Sequence, residues 1–202
     1  MRKFASCAAL CCAFFLLVGF AHAQQFDVNF GGGTLLSSAN NLSSLTNPTG
    51  SEKGGAYLNV GVDVIPFHRR LGFGFETAWR ASQGTDIFGQ PYRPILYDFN
   101  AMFQPKLGKK AGADFWAGIG AQSVRFYTAN PTSCSFFSGC TFYVSSNHFM
   151  EHLGAGIRYY VWGHVFVRPE VHYYHVHNNT NDFSSDNLFR VGASIGYTIG
   201  PE

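Results

Sequence analysis

The sequence predicts an all-β protein: eight antiparallel strands closed into an up-and-down barrel that spans a membrane. Three observations predict it. Beyond the first two dozen residues, hydrophobicity alternates with period two, and no window follows a helical period. The connections between alternating segments are long and short in strict turn, as when one barrel end carries turns and the other loops. Charged residues make up only 13% of the chain and aromatics 17%. An ordinary soluble domain carries roughly 25% charge, so this composition suits an exterior that is not all in water.

The N-terminus reads as a targeting segment. Arg2 and Lys3 precede the apolar run Ala8–Phe20, which ends in Ala21-His22-Ala23. That pattern is a secretory signal peptide over residues 1–23, cleaved between Ala23 and Gln24. Cys7, Cys11 and Cys12 lie inside it and no acceptor cysteine follows the run, so no lipid anchor is expected. Residues 24–202 are expected to form one barrel domain, with no linker to a second. Loss of Arg2 and Lys3 leaves twelve basic groups against twelve acidic ones. A nucleic-acid partner would need a basic surplus, which the mature chain lacks.

The eight segments lie near residues 25–36, 55–66, 71–82, 94–105, 113–127, 147–161, 164–177 and 187–199. The second sets Leu58, Val60, Val62 and Val64 against Asn59, Gly61 and Asp63. The third, LGFGFETAWR, sets Leu71, Phe73, Phe75, Thr77 and Trp79 against Gly72, Gly74, Glu76, Ala78 and Arg80. In the fourth, Ile95, Tyr97, Phe99 and Phe103 oppose Leu96, Asp98, Asn100 and Met102. The fifth is the least regular: Phe115, Ala117 and Ile119 share a face, while Val124 and Phe126 fall on the other. A bulge near Gln122-Ser123 would restore the phase. The eighth sets Phe189, Val191, Ile195 and Tyr197 against Arg190, Gly192, Ser194 and Gly196. Long loops are expected at 37–54, 83–93, 128–146 and 178–186, and short turns at 67–70, 107–112 and 162–163.

Volume decides which face looks out. An eight-stranded barrel has room inside for side chains and at most one small ligand. Turning the apolar face inward, as in a soluble ligand-binding barrel of the lipocalin type, would crowd several bulky residues per strand into that space. It would also leave a surface of Gly, Ala and Ser. Turning it outward places Phe73, Phe75 and Trp79 in lipid and lets the glycines face a narrow lumen. The charges then also point inward: Asp63, Glu76, Arg80, Asp98, Arg158, Arg168, Glu170 and Arg190. Four acids and four bases favour a lumen plugged by ion pairs over an open pore. The segments have about the 9–11 residues a crossing needs, and closure satisfies every backbone group in the hydrocarbon. Two aromatic girdles are expected: Phe67, Phe103, Trp116 and Trp162 by the short turns, and Tyr57, Trp79, Phe126, Phe149 and Tyr173 towards the long loops.

This pattern resembles the small eight-stranded bacterial outer-membrane β-barrels of the outer-membrane protein A and X type. The likeness covers the whole mature chain and rests on strand pattern, with no catalytic signature. It implies an outer-membrane location of the Gram-negative kind, the bilayer itself as a partner, insertion by the barrel-assembly machinery, and loops on the cell surface. Members usually end on an aromatic residue; here Tyr197 and Ile199 hold the matching parity, and Gly200-Pro201-Glu202 follow. The function implied is a non-enzymatic structural or surface-interaction role, as a monomer, with no cofactor. The alternatives are a porin-like channel for small solutes and a soluble exported ligand-binding barrel.

The remaining candidate chemistry is sparse. Cys134 and Cys140 are expected to form a disulfide, given export and their proximity. It would pin a loop, Asn130–Tyr143, carrying Phe136, Phe137, Phe142 and Tyr143. Those aromatics either form a recognition surface or pack over the barrel mouth. His172, His175 and His177 fit interfacial or solvated histidines better than a metal site. His148 and His152 share the inward parity of Arg158 and read as lumen hydrogen-bonding groups. Ser145, Ser146 and His148 offer the groups an outer-rim enzyme would use, but no catalytic, metal or cofactor site is expected. Arg69-Arg70 and Lys109-Lys110 read as solvated turn residues near lipid phosphates.

Overall fold

The computed structural model describes residues 25–37, 50–52, 54–67, 70–85, 89–135 and 139–200. The expected signal peptide and its Ala23/Gln24 cleavage site lie outside them, as do Arg69, Phe136 and Phe137. The main strands are β1 (Gln25–Ser37), β2 (Ala56–Phe67), β3 (Leu71–Arg80), β4 (Pro91–Phe103), β5 (Ala111–Tyr127), β6 (Tyr143–Trp162), β7 (Val165–Val176) and β8 (Asn187–Ile199). Each pairs antiparallel with its sequence neighbours. β1 also pairs with β8, from Phe26 opposite Ile199 to Ser37 opposite Leu188, which closes the barrel. The protein is an eight-stranded up-and-down barrel. Short strands at Gly84–Thr85, Ser133–Ser135 and Gly139–Thr141 decorate the long-loop end.

The face assignment follows from burial. In β3, Phe73 is 60% exposed while Gly72, Gly74 and Glu76 are buried. The same alternation puts Phe30, Phe99, Ile119, Leu153, Val171 and Ile195 on the outer wall. Close approach inside the wall explains the inward glycines. A Cβ on Gly118 would collide with the Phe99 carbonyl oxygen, which is backbone and cannot swing aside.

Several expectations need correction. β5 pairs with both neighbours without a register shift, so no bulge occurs at Gln122-Ser123. Val124 and Phe126 keep the inward parity and pack with Tyr92 and Phe183. The lumen is therefore not polar along its whole length, and an inward apolar residue needs no phase change. For the same reason Phe126 leaves the girdle expected at the long loops, and so, more deeply, does Tyr57, while Trp116 leaves the one by the short turns. Trp116 and Tyr57 are 5% and 1% exposed and point inward. Trp162, 83% exposed, and Phe103 do stand on the outer wall near the short turns. Finally, β6 begins at Tyr143 and not near 147. It pairs with β5 as far as Tyr127 opposite Tyr143, so these two strands form a ribbon taller than the rest of the wall. Shifts in register fall at the lower turns, between Val64 and Phe67 and between Val165 and Phe166.

Candidate functional site

The lumen is built in layers. Under the long loops lies an apolar layer of Leu35, Tyr57, Ala78, Leu96, Met150, Tyr174, Val176 and Leu188. Below it the inward positions turn charged, because β3, β4, β7 and β8 present Glu76, Asp98, Glu170 and Arg190 at matching heights. Arg190 donates to Glu76 through a short contact and approaches Glu170 at 3.5 Å. Arg168 reaches Glu170 at 3.0 Å, Asp114 at 3.2 Å and Asp63 at 3.4 Å. Arg158 meets Asp27 at 2.5 Å and Asp114 at 3.0 Å. All three guanidiniums are about 1% exposed. Each of the lower two also lies over an aromatic face, Arg168 on Trp116 at 4.6 Å and Arg158 on Phe166 at 4.0 Å.

Seven of the eight expected lumen charges thus meet in this core. Asp98 contacts His152 at 3.3 Å. Arg80 sits apart at the upper mouth and donates to the Tyr92 hydroxyl at 3.1 Å. Two carboxylates escaped the sequence reading, Asp27 and Asp114, both fully buried. The balance is therefore not four against four. Within this core, apart from Arg80 and Glu52 at the mouth, six acids face three arginines among the described residues. Neutral donors carry the excess: Gln25 to Asp27, Gln104 to Asp114, Asn59 to Glu76, Asn100 to Asp98, and Ser194 to Glu170. Buried carboxylates demand such partners, because an unsatisfied one is costly.

His172 is a further correction. It is 2% exposed, deep in the lumen, and not interfacial. Its Nδ1 lies 2.9 Å from His152 Nε2, and His152 Nδ1 lies 2.7 Å from Asn100 Oδ1. Glu76, Glu170 and His172 offer donor atoms within 4.8 Å of one another, close enough to surround a cation. Arg190 already fills that role with both carboxylates. His175 and His177 point outward instead, their rings 4.9 Å apart, with Glu151 3.4 Å from His177.

At the upper mouth, two loops close over the lumen. The Ser184 amide donates to the Gly50 carbonyl at 3.1 Å, and Phe183 packs 5.1 Å from Tyr92. Glu52 is buried there with Gln122 donating to it at 2.6 Å. Burial, opposed by that hydrogen bond, pushes the Glu52 carboxyl up to about 7. Its other oxygen and the Gln122 and Asn179 carbonyl oxygens have no hydrogen-bond donor among the described residues. A proton on Glu52 would serve one of those acceptors.

Ser146, His148 and Asp182 also meet at this end. Ser146 Oγ and Asp182 Oδ2 both lie 2.8 Å from the same nitrogen, His148 Nε2. A nucleophile relay needs serine and acid on opposite ring nitrogens, so the arrangement is not one. Ser145 lies exposed on the opposite parity. Cys134 and Cys140 face each other across the small hairpin and form a disulfide.

No protein-family model matches the chain, and no curated protein matches it. Solved structures do. Neisserial surface protein A is 7% identical, with 86% of this chain and 96% of that one covered, at a TM-score of 0.58. A major outer membrane protein of Thermus thermophilus is 12% identical, covering 88% and 100%, at 0.56. The attachment invasion locus protein Ail of Yersinia pestis, in complex with the heparin analogue sucrose octasulfate, is 11% identical, covering 88% and 99%, at 0.53. At such identities the likeness concerns the fold. The chain has the fold of the small eight-stranded outer-membrane barrels.

Proposed function

We propose that the chain is a non-enzymatic outer-membrane barrel with a structural or cell-surface interaction role and a lumen closed by ion pairs. The observation that carries this reading is the pairing of an apolar outer wall with a filled interior. Phe99 is 65% exposed on the outside, while Arg158, Arg168 and Arg190 are almost wholly buried among carboxylates. Such a surface is unstable in water and at rest in hydrocarbon. Side chains from all eight strands fill the axis, with apolar layers above and among the charges. The outer-membrane location draws support from the proteins that share the fold, and export from the signal pattern of residues 1–23. Insertion by the barrel-assembly machinery belongs to the same reading.

The surface role falls to the ribbon formed by β5 and β6. It rises past the mouth, its tip is pinned by Cys134–Cys140, and Phe142 and Val144 stand 46% and 53% exposed near it. Exposed apolar groups on a pinned loop are suited to binding a partner.

Planar-bilayer recording tests the closed lumen. The purified barrel is expected to give no steady unitary current. Reproducible stepwise conductance would overturn the plug and favour the solute-channel alternative. Recovery of the native chain from the periplasm instead of the outer membrane would favour the soluble ligand-binding barrel.

A further inference from the structure

The short-turn end of the barrel holds a cavity of about 380 Å³ beneath the β4–β5 turn. Lys106, Lys109 and Lys110 stand around it, all three exposed. None makes an ion pair among the described residues. The described residues of the turns at this end, 70, 104–110 and 163–164, include four Lys or Arg and no Asp or Glu. The opposite end is mixed, with Glu52, Asp182 and Asp186 beside Arg80, Arg93 and Arg125. Among the described turn residues, the short-turn end is thus one-signed.

The cavity floor is polar but electrically balanced. Arg158 lines it, its charge already met by Asp27 and Asp114. From Arg158 a hydroxyl chain runs into the space: Nη1 to Tyr160 Oη at 3.4 Å, then Tyr160 Oη to Thr198 Oγ1 at 3.1 Å. Ala111 and Val161 supply apolar wall. Three ammonium groups, without an ion pair among the described residues, stand over a floor of hydroxyls and carboxamides, a setting that an anion would complete. Lysines are compact point charges suited to phosphate oxygens. The volume falls in the range of small-molecule sites, roughly 300–1,000 Å³, and exceeds what a bare inorganic anion fills.

We propose that this cavity binds a phosphate-bearing organic anion, with its oxygens on Lys106, Lys109 and Lys110 and its carbon part against Ala111 and Val161. Two sources carry that chemistry at this end of a barrel: a free phosphomonoester, and the headgroup of an anionic phospholipid in the adjoining leaflet. The free-phosphate arm does not depend on the membrane reading.

The test uses the full mature chain in phosphatidylcholine nanodiscs, with sn-glycerol 3-phosphate and inorganic phosphate as titrants followed by phosphorus NMR. The variant is K106A/K109A/K110A, and the control is R93A/R125A on β4 and β5 near the long-loop end. All five side chains are exposed or half-buried, and retained heat-modifiable gel migration verifies folding. Glycerol phosphate is expected to bind more tightly than inorganic phosphate. The triple variant is expected to lose roughly tenfold or more in affinity, and the control to lose none. A second arm measures the preference for spin-labelled phosphatidylglycerol over phosphatidylcholine. A preference abolished only in the triple variant, without binding of free glycerol phosphate, assigns the cavity to a lipid headgroup. Neither ligand sensing the lysines, or equal losses in the triple variant and the control, overturns the proposal.

Discussion

Replacing Arg168 by methionine should destabilise the barrel severely. Arg168 is the shared cation of Asp63, Asp114 and Glu170, at 3.0 to 3.4 Å. It is 1% exposed, so water cannot take its place. Methionine keeps most of the stem's packing but leaves Asp63 without a cation and takes one of two from Asp114 and Glu170, which keep Arg158 and Arg190. Removing one partner of a buried ion pair costs about 3–5 kcal/mol, and three partners share this one. Removing charge from both sides is far milder, because a balanced apolar replacement of a buried pair is often neutral. R168M/E170Q should therefore be more stable than R168M alone, with a coupling of about 0.5–3 kcal/mol. Equilibrium urea unfolding in lipid vesicles measures both quantities. Trp116, stacked 4.6 Å from the guanidinium, serves as a local fluorescence reporter. A loss below about 1 kcal/mol for R168M, the level of an exposed pair, would refute the reasoning. It would mean that the arginine is solvated and the lumen wet.

Three further outcomes follow from the same geometry. Glu52 sits in a loop with its carboxyl raised from 4.5 to about 7. A raised carboxyl favours the fold in its protonated state. The loop cap should therefore hold fully below pH 4.5, weaken as pH climbs to about 7, and level off above. The shift corresponds to about 3 kcal/mol. E52Q should abolish this pH dependence in hydrogen exchange of residues 50–54 and 178–186, and an unchanged profile would count against it. Gly118→Val should cost several kcal/mol, on the order of a severe core overpacking, since the new side chain meets the Phe99 carbonyl. A thermal midpoint equal to wild type would contradict the inward placement of Gly118. C134S/C140S should leave barrel unfolding unchanged and speed amide exchange at the ribbon tip on the order of 30-fold, from about 2 kcal/mol of short-loop stabilisation. A drop in global stability would show that the ribbon supports the barrel.

Strand identity and facing were legible because both rest on a single constraint. A narrow lumen admits glycine and paired charge, and lipid admits Phe, Val and Ile, so each strand writes its orientation in alternate residues. What stayed hidden breaks that simple sorting. Trp116 and Tyr57 are aromatic yet inward, since a lumen arginine wants a ring face to lie on and the upper layer is packed with apolar groups. Asp27 alternates cleanly with Phe26, Val28 and Phe30 and was legible as inward, whereas Asp114 shares its face with Trp116, whose ring masks the inward parity. The first residues of β6 lack an apolar period because both faces of the ribbon meet water above the wall. The upper cap joins Gly50 and Glu52 to Phe183 and Ser184, more than 130 positions away. Local pattern carries no record of such contacts. The cavity at the lower end is of the same kind: Lys109-Lys110 could be read as basic, but not as standing over Tyr160 and Thr198.

The central claim is that the apolar face of every strand meets hydrocarbon while the charged face is enclosed. Nitroxide labels at Phe73 and Ile119, 60% and 58% exposed on the outer wall, test it directly in reconstituted bilayers. Collision with dissolved oxygen should exceed collision with a water-soluble nickel chelate at both sites. Faster relaxation by the nickel chelate at Phe73 and Ile119 would place those faces in water and contradict the account.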